Sequence, residues 1–182
     1  MIQRPVLTLG VLALVWASLP AHAQTPDAAL REHLRTNAPA CGEFEQSRWL
    51  ADFDMHLNSR GTFQRQDQGL IWRTLQPVHS EVVLSENNPD LPLGYQAVLP
   101  IFNGLLAGNW QSLDQYFATT LSGTADAWRA ELAPRNAQAA QLSGLSIEGA
   151  AQLERITISF NDGDRMDIHL TETACPPPVE AH

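Results

Sequence analysis

Residues 156–170, ITISFNDGDRMDIHL, give the clearest indication of the fold. Apolar side chains alternate with polar ones on both sides of an Asn-Asp-Gly-Asp turn: Ile156, Ile158 and Phe160 precede it, and Met166, Ile168 and Leu170 follow it. A period of two indicates strands, and a polar turn containing glycine between two such runs is typical of a β-hairpin. We therefore predict an antiparallel hairpin with one apolar face and one polar face.

A second pair of strands is predicted at residues 70–84, LIWRTLQPVHSEVVL, with a break at the central proline. In the first strand Leu70, Trp72 and Thr74 would point to one face, and Ile71 and Leu75 to the other. Large apolar side chains on both faces leave two interpretations open. The strand is either part of a filled core, or one wall of a cavity that holds an apolar ligand.

The rest of the chain adds short strands and a few helices. Further strands are predicted at residues 44–50, 62–65, 128–132 and 143–149, with turn-forming residues at 58–61 and 66–69. Helices are predicted to begin at Pro26, Pro100 and Asn109, the second ending at Gly108 and the third carrying an apolar stripe of Leu113, Tyr116 and Phe117. About seven or more antiparallel strands with so few helices indicate a mainly β (α+β) fold, in which one strongly curved sheet wraps over helices.

The first 23 residues are typical of a secretory signal. Arg4 precedes an apolar run at residues 6–16, and Ala21-His22-Ala23 provides the small residues of a cleavage site. The run is shorter than the about 20 residues that span a bilayer, although a membrane anchor or a buried helix is the alternative interpretation. We expect cleavage after Ala23, a single domain at residues 24–174, and an extended Pro-rich tail at residues 175–182.

The cysteines fit a secreted protein. No Cys stands at the predicted mature N-terminus, where lipid attachment would require one, so a soluble protein in an oxidising compartment is expected. Cys41 and Cys175 are the two cysteines of the chain, and in such a compartment they are expected to form a disulfide bond. Two unpaired thiols are the alternative.

Charge and motifs argue against several classes of function. The formal charge is −9, and the predicted signal contains one positive side chain, Arg4, so the mature chain would carry −10. Such an acidic chain is not expected to bind nucleic acid or an anionic membrane. The sequence has no GxSxG, HExxH or phosphate-binding glycine motif, and no His at a metal-ligand spacing from another His or a Cys. We expect a protein that is not an enzyme and needs neither a metal nor a cofactor.

The order of several short motifs resembles the outer-membrane lipoprotein carrier (LolA) family. The motifs are Phe44-x-Gln46, Ser59-x-Gly61-x-Phe63, GLIW at 69–72, Pro77, SEVVL at 80–84, LLAGNWQSLDQYF at 105–117, WRAELAPRN at 128–136 and the hairpin at 156–170. The resemblance covers nearly all of the predicted mature chain. It implies an incomplete, strongly curved antiparallel barrel that is covered on one side by helices.

The resemblance also implies a function. Members of this family are soluble periplasmic carriers that hold the acyl chains of lipoproteins between sheet and helices. They receive this cargo from an inner-membrane transporter and pass it to an outer-membrane acceptor, which is itself a lipoprotein. We expect this chain to act in the same way, as a monomer, with a cavity lined by Phe63, Leu70, Trp72, Val82, Leu84, Phe102, Leu106 and Phe117. Of these, Phe102, Leu106 and Phe117 are expected on helices.

Two features separate this chain from the family pattern: the position of an arginine, and the segment SENNPDLPLGYQ at 85–96, which stands where family members have a further aromatic strand. Arg65 is the nearest match to an arginine that helps to hold the lid closed in family members, but it is one position out of register and no proline follows it. Arg65 is therefore a candidate for lid closure, with a solvated charge at the sheet edge as the alternative.

In the cavity interpretation Leu70 and Trp72 form the wall, and Ile71 and Leu75 pack behind it.

Three further functions stay open. As a divergent relative of the family, this chain is also suited to carry another lipid or a lipid-linked product for a dedicated export system. The same fold is suited to a module that detects lipoproteins and signals to a membrane partner. An esterase acting on lipids is the third alternative.

Overall fold

The structure, a computed structural model, describes residues 26–67, 69–85, 87–91, 98–106, 110–136 and 139–177. The helices within these ranges are α1 (Pro26–Thr36), α2 (Leu99–Leu106) and α3 (Trp110–Tyr116), and a 3-10 turn spans Ala51–Phe53. The strands are β1 (Cys41–Leu50), β2 (Met55–Gln66), β3 (Gly69–Gln76), β4 (Ser80–Leu84), β5 (Phe117–Thr124), β6 (Ala127–Pro134), β7 (Leu142–Gly149), β8 (Leu153–Phe160) and β9 (Arg165–Glu172).

All nine of these strands form one antiparallel sheet in the order β4-β3-β2-β1-β9-β8-β7-β6-β5. Two meanders, β1 to β4 and β5 to β9, join where β1 pairs with β9. The sheet is curled but open, because β4 and β5 are its two edges. The predicted mainly β fold, an incomplete and curved antiparallel barrel with a few helices, is therefore confirmed.

The helices lie against one face of the sheet, which we call the inner face. The chain leaves one edge of the sheet at β4 and reaches the other edge at β5, with α2 and α3 in between. Helix α2 packs against α3, β3 and β4, whereas α1 and α3 contact β5. The helical connection therefore spans the open side of the sheet, and the core lies between it and the inner face.

The hairpin predicted at residues 156–170 is formed by β8 and β9. Ile156, Ile158 and Ile168 are completely buried, and the polar side chains between them face outward. At the turn, the backbone N–H of Phe160 donates to the carbonyl oxygen of Asp164 at 2.9 Å. Alternation with a period of two therefore correctly predicted which side chains enter the core.

The turn predicted at residues 58–61 is wrong. These residues lie inside β2, where Asn58 pairs with Ser47 and Gly61 pairs with Phe44. Their residue types favour turns in isolation, but pairing of all four residues with β1, and of Arg60 and Gly61 also with β3, overrides this local preference. The result is a twelve-residue strand in place of the short one expected at 62–65.

Strand β5 was not predicted, and Phe117 was wrongly placed in a helix. Helix α3 ends at Tyr116, and Phe117 is the first residue of β5. The spacing of Leu113, Tyr116 and Phe117 fits a helix, while the residues that follow show no clear apolar alternation. Their strand conformation comes from pairing with β6 along the whole length of β5.

Leu75 does not pack behind the apolar wall as expected. Its side chain is 37% exposed, and Ile71 is half-buried. Arg60 pairs with Gln76 and Gly61 with Thr74, so Leu75 is the unpaired residue of a β-bulge. The side of the sheet away from the helices, the outer face, therefore has no second apolar layer here.

A disulfide bond joins Cys41, the first residue of β1, to Cys175, which follows β9, with their Cα atoms 5.1 Å apart. The backbone N–H of Thr173 also donates to the carbonyl oxygen of Cys41 at 3.1 Å. The first residue of the predicted tail is therefore held against the sheet.

Several predictions concern residues outside the described ranges. They are the signal at residues 1–23, the helix boundaries at Gly108 and Asn109, and the end of the tail at residues 178–182. Among the helices that the structure describes, none is long and apolar enough to cross a membrane.

Candidate functional site

The inner face of β2, β3 and β4 is a continuous apolar wall. Phe63 pairs with Trp72, Trp72 pairs with Val82, and Leu70 pairs with Leu84. Residues directly opposite each other on neighbouring strands point to the same face of a sheet. The five sheet residues that were predicted to line a cavity therefore share one surface.

Trp72 lies at the centre of an aromatic cluster on this wall. Its ring stacks on Phe44 with the centroids 3.8 Å apart, and lies 6.4 Å from the ring of Phe63. From α2, the ring of Phe102 approaches Trp72 to 4.9 Å at an angle of 54°. Aromatic rings at such distances add to the free energy gained by burial. The contact between Trp72 and Phe102 joins the sheet to the helix that covers it.

Two glycines on β1 and β2 leave room for these rings. A Cβ atom at Gly42 would lie 2.5 Å from the ring of Phe63, and one at Gly61 would lie 2.8 Å from the ring of Phe44. Sequence reasoning named Phe44 and Gly61 only as parts of motifs and not as site residues. Glycines in strand patterns next to aromatic residues are the signal that indicates such close packing.

Helix α2 covers the wall with apolar side chains. Ile101, Phe102, Leu105 and Leu106 are buried, and the helix sequence, LPIFNGLL, has no charged residue. A Cβ atom at Gly104 would lie 2.2 Å from the side chain of Leu113, so α2 and α3 are in close contact at that glycine. A short helix that buries this much apolar surface depends on packing for its stability.

The structure brings all eight predicted lining residues into one hydrophobic cluster. Val82 is half-buried, and each of the other seven is at most 3% exposed. The wall and α2 are therefore packed against each other in this conformation, as in the filled-core interpretation. An acyl chain would enter between them if α2 moved away from the wall.

Arg65 links the end of β2 to the end of α2. Its Nη1 donates to the carbonyl oxygen of Leu106 at 3.0 Å and to that of Ala38 at 3.4 Å. The carbonyl groups of the last helical turn lack partners within the helix and attract a positive charge. In the part of the chain that the structure describes, this is the only side-chain hydrogen bond to α2. Arg65 therefore contacts the cover of the apolar wall, although no proline follows it.

Helix α3 is tied more firmly to its surroundings than α2. Arg31 of α1 forms an ion pair with Asp114 at 3.0 Å, and its guanidinium lies 5.6 Å from the ring centroid of Trp110. At the other end, the backbone N–H of Arg135 donates to the carbonyl oxygen of Tyr116 at 2.8 Å. We infer that α2 is the more weakly held part of the helical cover.

The outer face carries a row of charged side chains across β6 to β9. Arg129, Glu148, Arg155 and His169 are successive cross-strand partners. Arg129 and Arg155 both bind Glu148, at 2.9 and 3.4 Å, and Arg155 Nη2 lies 2.8 Å from His169 Nε2. These groups satisfy one another, as expected for the solvated face of a sheet. The apolar inner face is therefore the candidate functional site.

Comparison with known proteins finds solved structures of similar fold. No family model matches this chain, and no curated protein matches it. Among solved structures, the chain is similar to a LolA superfamily protein from Nitrosomonas europaea, with a TM-score of 0.48 and 9% sequence identity. The match covers 88% of this chain and 99% of that chain. At this identity it assigns no functional residue.

Proposed function

We propose that this protein is a carrier that holds an acyl chain between the inner face of the sheet and α2. The observation that carries the proposal is the apolar wall around Trp72, covered by a short helix without charged residues. Such a cover separates from the wall without breaking a buried ion pair. An acyl chain then takes the place of the α2 side chains on the wall.

The exchange of α2 for an acyl chain is nearly balanced in free energy. Each methylene moved out of water contributes about 0.8 kcal/mol, so a chain of about 15 methylenes contributes about 12 kcal/mol. Uncovering the four large buried side chains of α2 costs about 1.5–3 kcal/mol each, or about 6–12 kcal/mol in total. The net affinity is then modest, which suits a carrier that must release its cargo.

In this proposal Arg65 stabilises the closed state, in which α2 covers the wall. Its hydrogen bond to the carbonyl oxygen of Leu106 is partly exposed to solvent, so it stabilises closure by about 1 kcal/mol. A contact of this strength biases α2 toward the wall without locking it. Binding of an acyl chain would replace this contact together with the packing of Phe102 on Trp72.

We further propose that the cargo is an acylated lipoprotein in the periplasm, received from an inner-membrane transporter and passed to an outer-membrane acceptor lipoprotein. An acylated protein needs such shielding because several chains of methylenes cannot cross water unprotected. The motif order in the sequence supports this, and the disulfide bond suits an oxidising compartment. A carrier of another lipid, or a module that detects lipoproteins, would use the same wall.

Quenching of tryptophan fluorescence by a brominated fatty acid tests the site. Bromine on the acyl chain quenches an indole that it touches, and Trp72 lies on the wall. The expected result is saturable quenching that is largely lost in Trp72→Phe and absent with the unbrominated fatty acid. Trp49→Phe is the matched control, because Trp49 lies on the outer face, where its ring contacts His56 at 4.9 Å.

Two results would overturn the proposal. One is the absence of saturable quenching in the wild-type protein, and the other is quenching that persists in Trp72→Phe but disappears in Trp49→Phe. The competing esterase function is tested with a fluorogenic acyl ester in the same preparation. A carrier gives no turnover above background, whereas turnover that a serine-directed probe abolishes would favour the esterase.

A further inference from the structure

The inner face continues beyond the helical cover on the hairpin of β1 and β2. Arg48 pairs with Leu57 on one side and with Met166 on the other, so these three side chains share the inner face. The next pair toward the turn is Leu50 with Met55. Between these pairs and the buried wall lie Gln46 and Ser59, which pair with each other on the same face. The apolar side chains connect past this polar pair through Ile168, the partner of Gln46 on β9.

This extension is open to solvent. Leu57 is 49% exposed and Met55 is 44% exposed, whereas Phe44, four residues before Arg48 on the same face of β1, is 1% exposed. The described helices pack against β3, β4 and β5. The end of the hairpin thus offers uncovered apolar side chains, which reach the buried core through Met166 and Ile168 of β9.

Arg48 places a guanidinium within this uncovered surface. Its Nη2 binds the carboxylate of Asp164 at 2.8 Å, and its Cζ lies 5.6 Å from the ring centroid of Phe160. Its Nε is buried without a hydrogen-bond partner, and among the described residues its Nη1 has none either. A guanidinium carries five N–H donors, and since Nε is buried, Nη1 and the second N–H of Nη2 are the donors that Arg48 retains for a second oxyanion.

We propose that Arg48 binds the negatively charged end of an amphiphile whose alkyl chain lies along Leu57 and Met166 toward the wall around Trp72. This inference rests on the proposed carrier function and, of the two kinds of cargo named there, favours another lipid over an acylated lipoprotein. The chemical class is an acyl chain ending in a carboxylate or carrying an anionic headgroup, whereas the acyl chains of a lipoprotein are esterified or amide-linked and have no anionic end. The apolar surface alone would suit any acyl chain. The cation within it selects a chain with an anionic end.

The carboxylate of Asp164 opposes the binding of an anion at Arg48, and its substitution tests the inference directly. Its carboxylate already shares the guanidinium of Arg48, and the chain as a whole is acidic, so a second anion meets repulsion. Asp164→Asn removes that competing charge and leaves the cation in place. If Arg48 only holds the turn near Asp164, the same substitution weakens the turn and has no selective effect on anions.

The experiment compares oleate with oleyl alcohol, which share one alkyl chain and differ in charge. Arg48→Met is expected to weaken oleate binding at least tenfold and to change oleyl alcohol binding less than twofold. Arg48→Lys is expected to retain part of the preference, and Asp164→Asn to strengthen oleate binding severalfold. Thermal unfolding monitored by circular dichroism shows whether each variant is folded. Because oleate affinity is expected to fall in Arg48→Met and to rise in Asp164→Asn, a general loss of structure cannot produce both results.

Each other outcome overturns the inference in a recognisable way. Equal losses for oleate and oleyl alcohol in Arg48→Met, or unchanged oleate binding in both variants, would show that Arg48 is structural. Competition by acetate or inorganic phosphate alone would show a site for small anions and not for an amphiphile. Failure of the wild-type protein to bind either long-chain ligand would overturn the carrier function itself.

Discussion

The rings of Phe44 on β1 and Trp72 on β3 are stacked, with their centroids 3.8 Å apart and their planes inclined by 20°. The two strands are not neighbours, because β2 lies between them. The rings meet across Gly61, which pairs with Phe44 on one side and with Thr74 on the other. The absence of a side chain at Gly61 is therefore what allows the aromatic cluster of the wall to form.

Gly61→Ala is expected to destabilise the protein by about 3 kcal/mol, as overpacking of a tight site does. The added Cβ would lie 1.9 Å from the carbonyl oxygen of Arg73 and 2.8 Å from the ring of Phe44, so backbone and ring must both shift. Urea unfolding followed by tryptophan fluorescence measures the loss. Gly144→Ala is the matched control, because a Cβ at Gly144 meets nothing within 4 Å. Equal stability of the two variants would contradict the interpretation.

Acid is expected to weaken the contact between the hairpin of β1 and β2 and the turn after β8. The backbone N–H of Ala51 and the guanidinium of Arg48 hold the pKa of Asp164 below its usual value. The unfolded chain has the ordinary value of about 3.9, so this stabilisation is complete above that pH and is lost as the pH falls through the lower folded-state pKa. Asp164→Asn should therefore cost more stability at pH 7 than at pH 2.5.

Urea unfolding at both pH values checks this expectation. Asp52→Asn, in the turn beside Ala51, is the control because Asp52 is exposed and belongs to the same hairpin. An equal loss of stability at pH 7 and pH 2.5 in Asp164→Asn would show that the carboxylate contributes through its shape and not through its charge.

Strong alternation of apolar residues was a reliable guide to the strands. The period of two in β6, β8 and β9 matches the observed burial, with Trp128, Ala130 and Leu132 buried in β6. The same pattern placed Leu70 and Trp72 on the inner face. In each case the side chain itself supplies the free energy that selects the face, so the sequence contains the information.

The features that sequence did not reveal depend on partners that are distant along the chain. Strand β5 has a polar, Thr-rich sequence and becomes a strand because it pairs with β6. The stacking of Phe44 on Trp72 requires the register of three strands. The uncovered position of Leu57 depends on where the helices end. Local pattern carries none of these relationships, which arise only when the sheet is assembled.

The disulfide bond is expected to make a large contribution to stability. Cys41 and Cys175 are 134 residues apart in sequence. A cross-link over so long a loop lowers the entropy of the unfolded chain and stabilises the folded state by at most about 4–5 kcal/mol. The double variant Cys41→Ala, Cys175→Ala should lose a substantial part of this value. Thermal unfolding with and without reductant checks it, since reductant should bring the wild type to the Tm of the double variant and leave that variant unchanged. Equal Tm values under oxidising conditions would contradict the expectation.

The contact of Arg65 with Leu106 predicts that this arginine controls how often α2 leaves the wall. Arg65→Ala removes a hydrogen bond worth about 1 kcal/mol, so amide hydrogen exchange in α2 should be roughly fivefold faster. Arg65→Lys should give an intermediate rate, because lysine retains a charged donor but lacks the planar fork. The control is Arg73→Ala, which breaks an exposed ion pair with Glu81 on the outer face and leaves α2 untouched. If Arg65→Ala and Arg73→Ala left exchange in α2 equally unchanged, Arg65 would be a solvated charge at the sheet end and closure would rest on the packing of Phe102 alone.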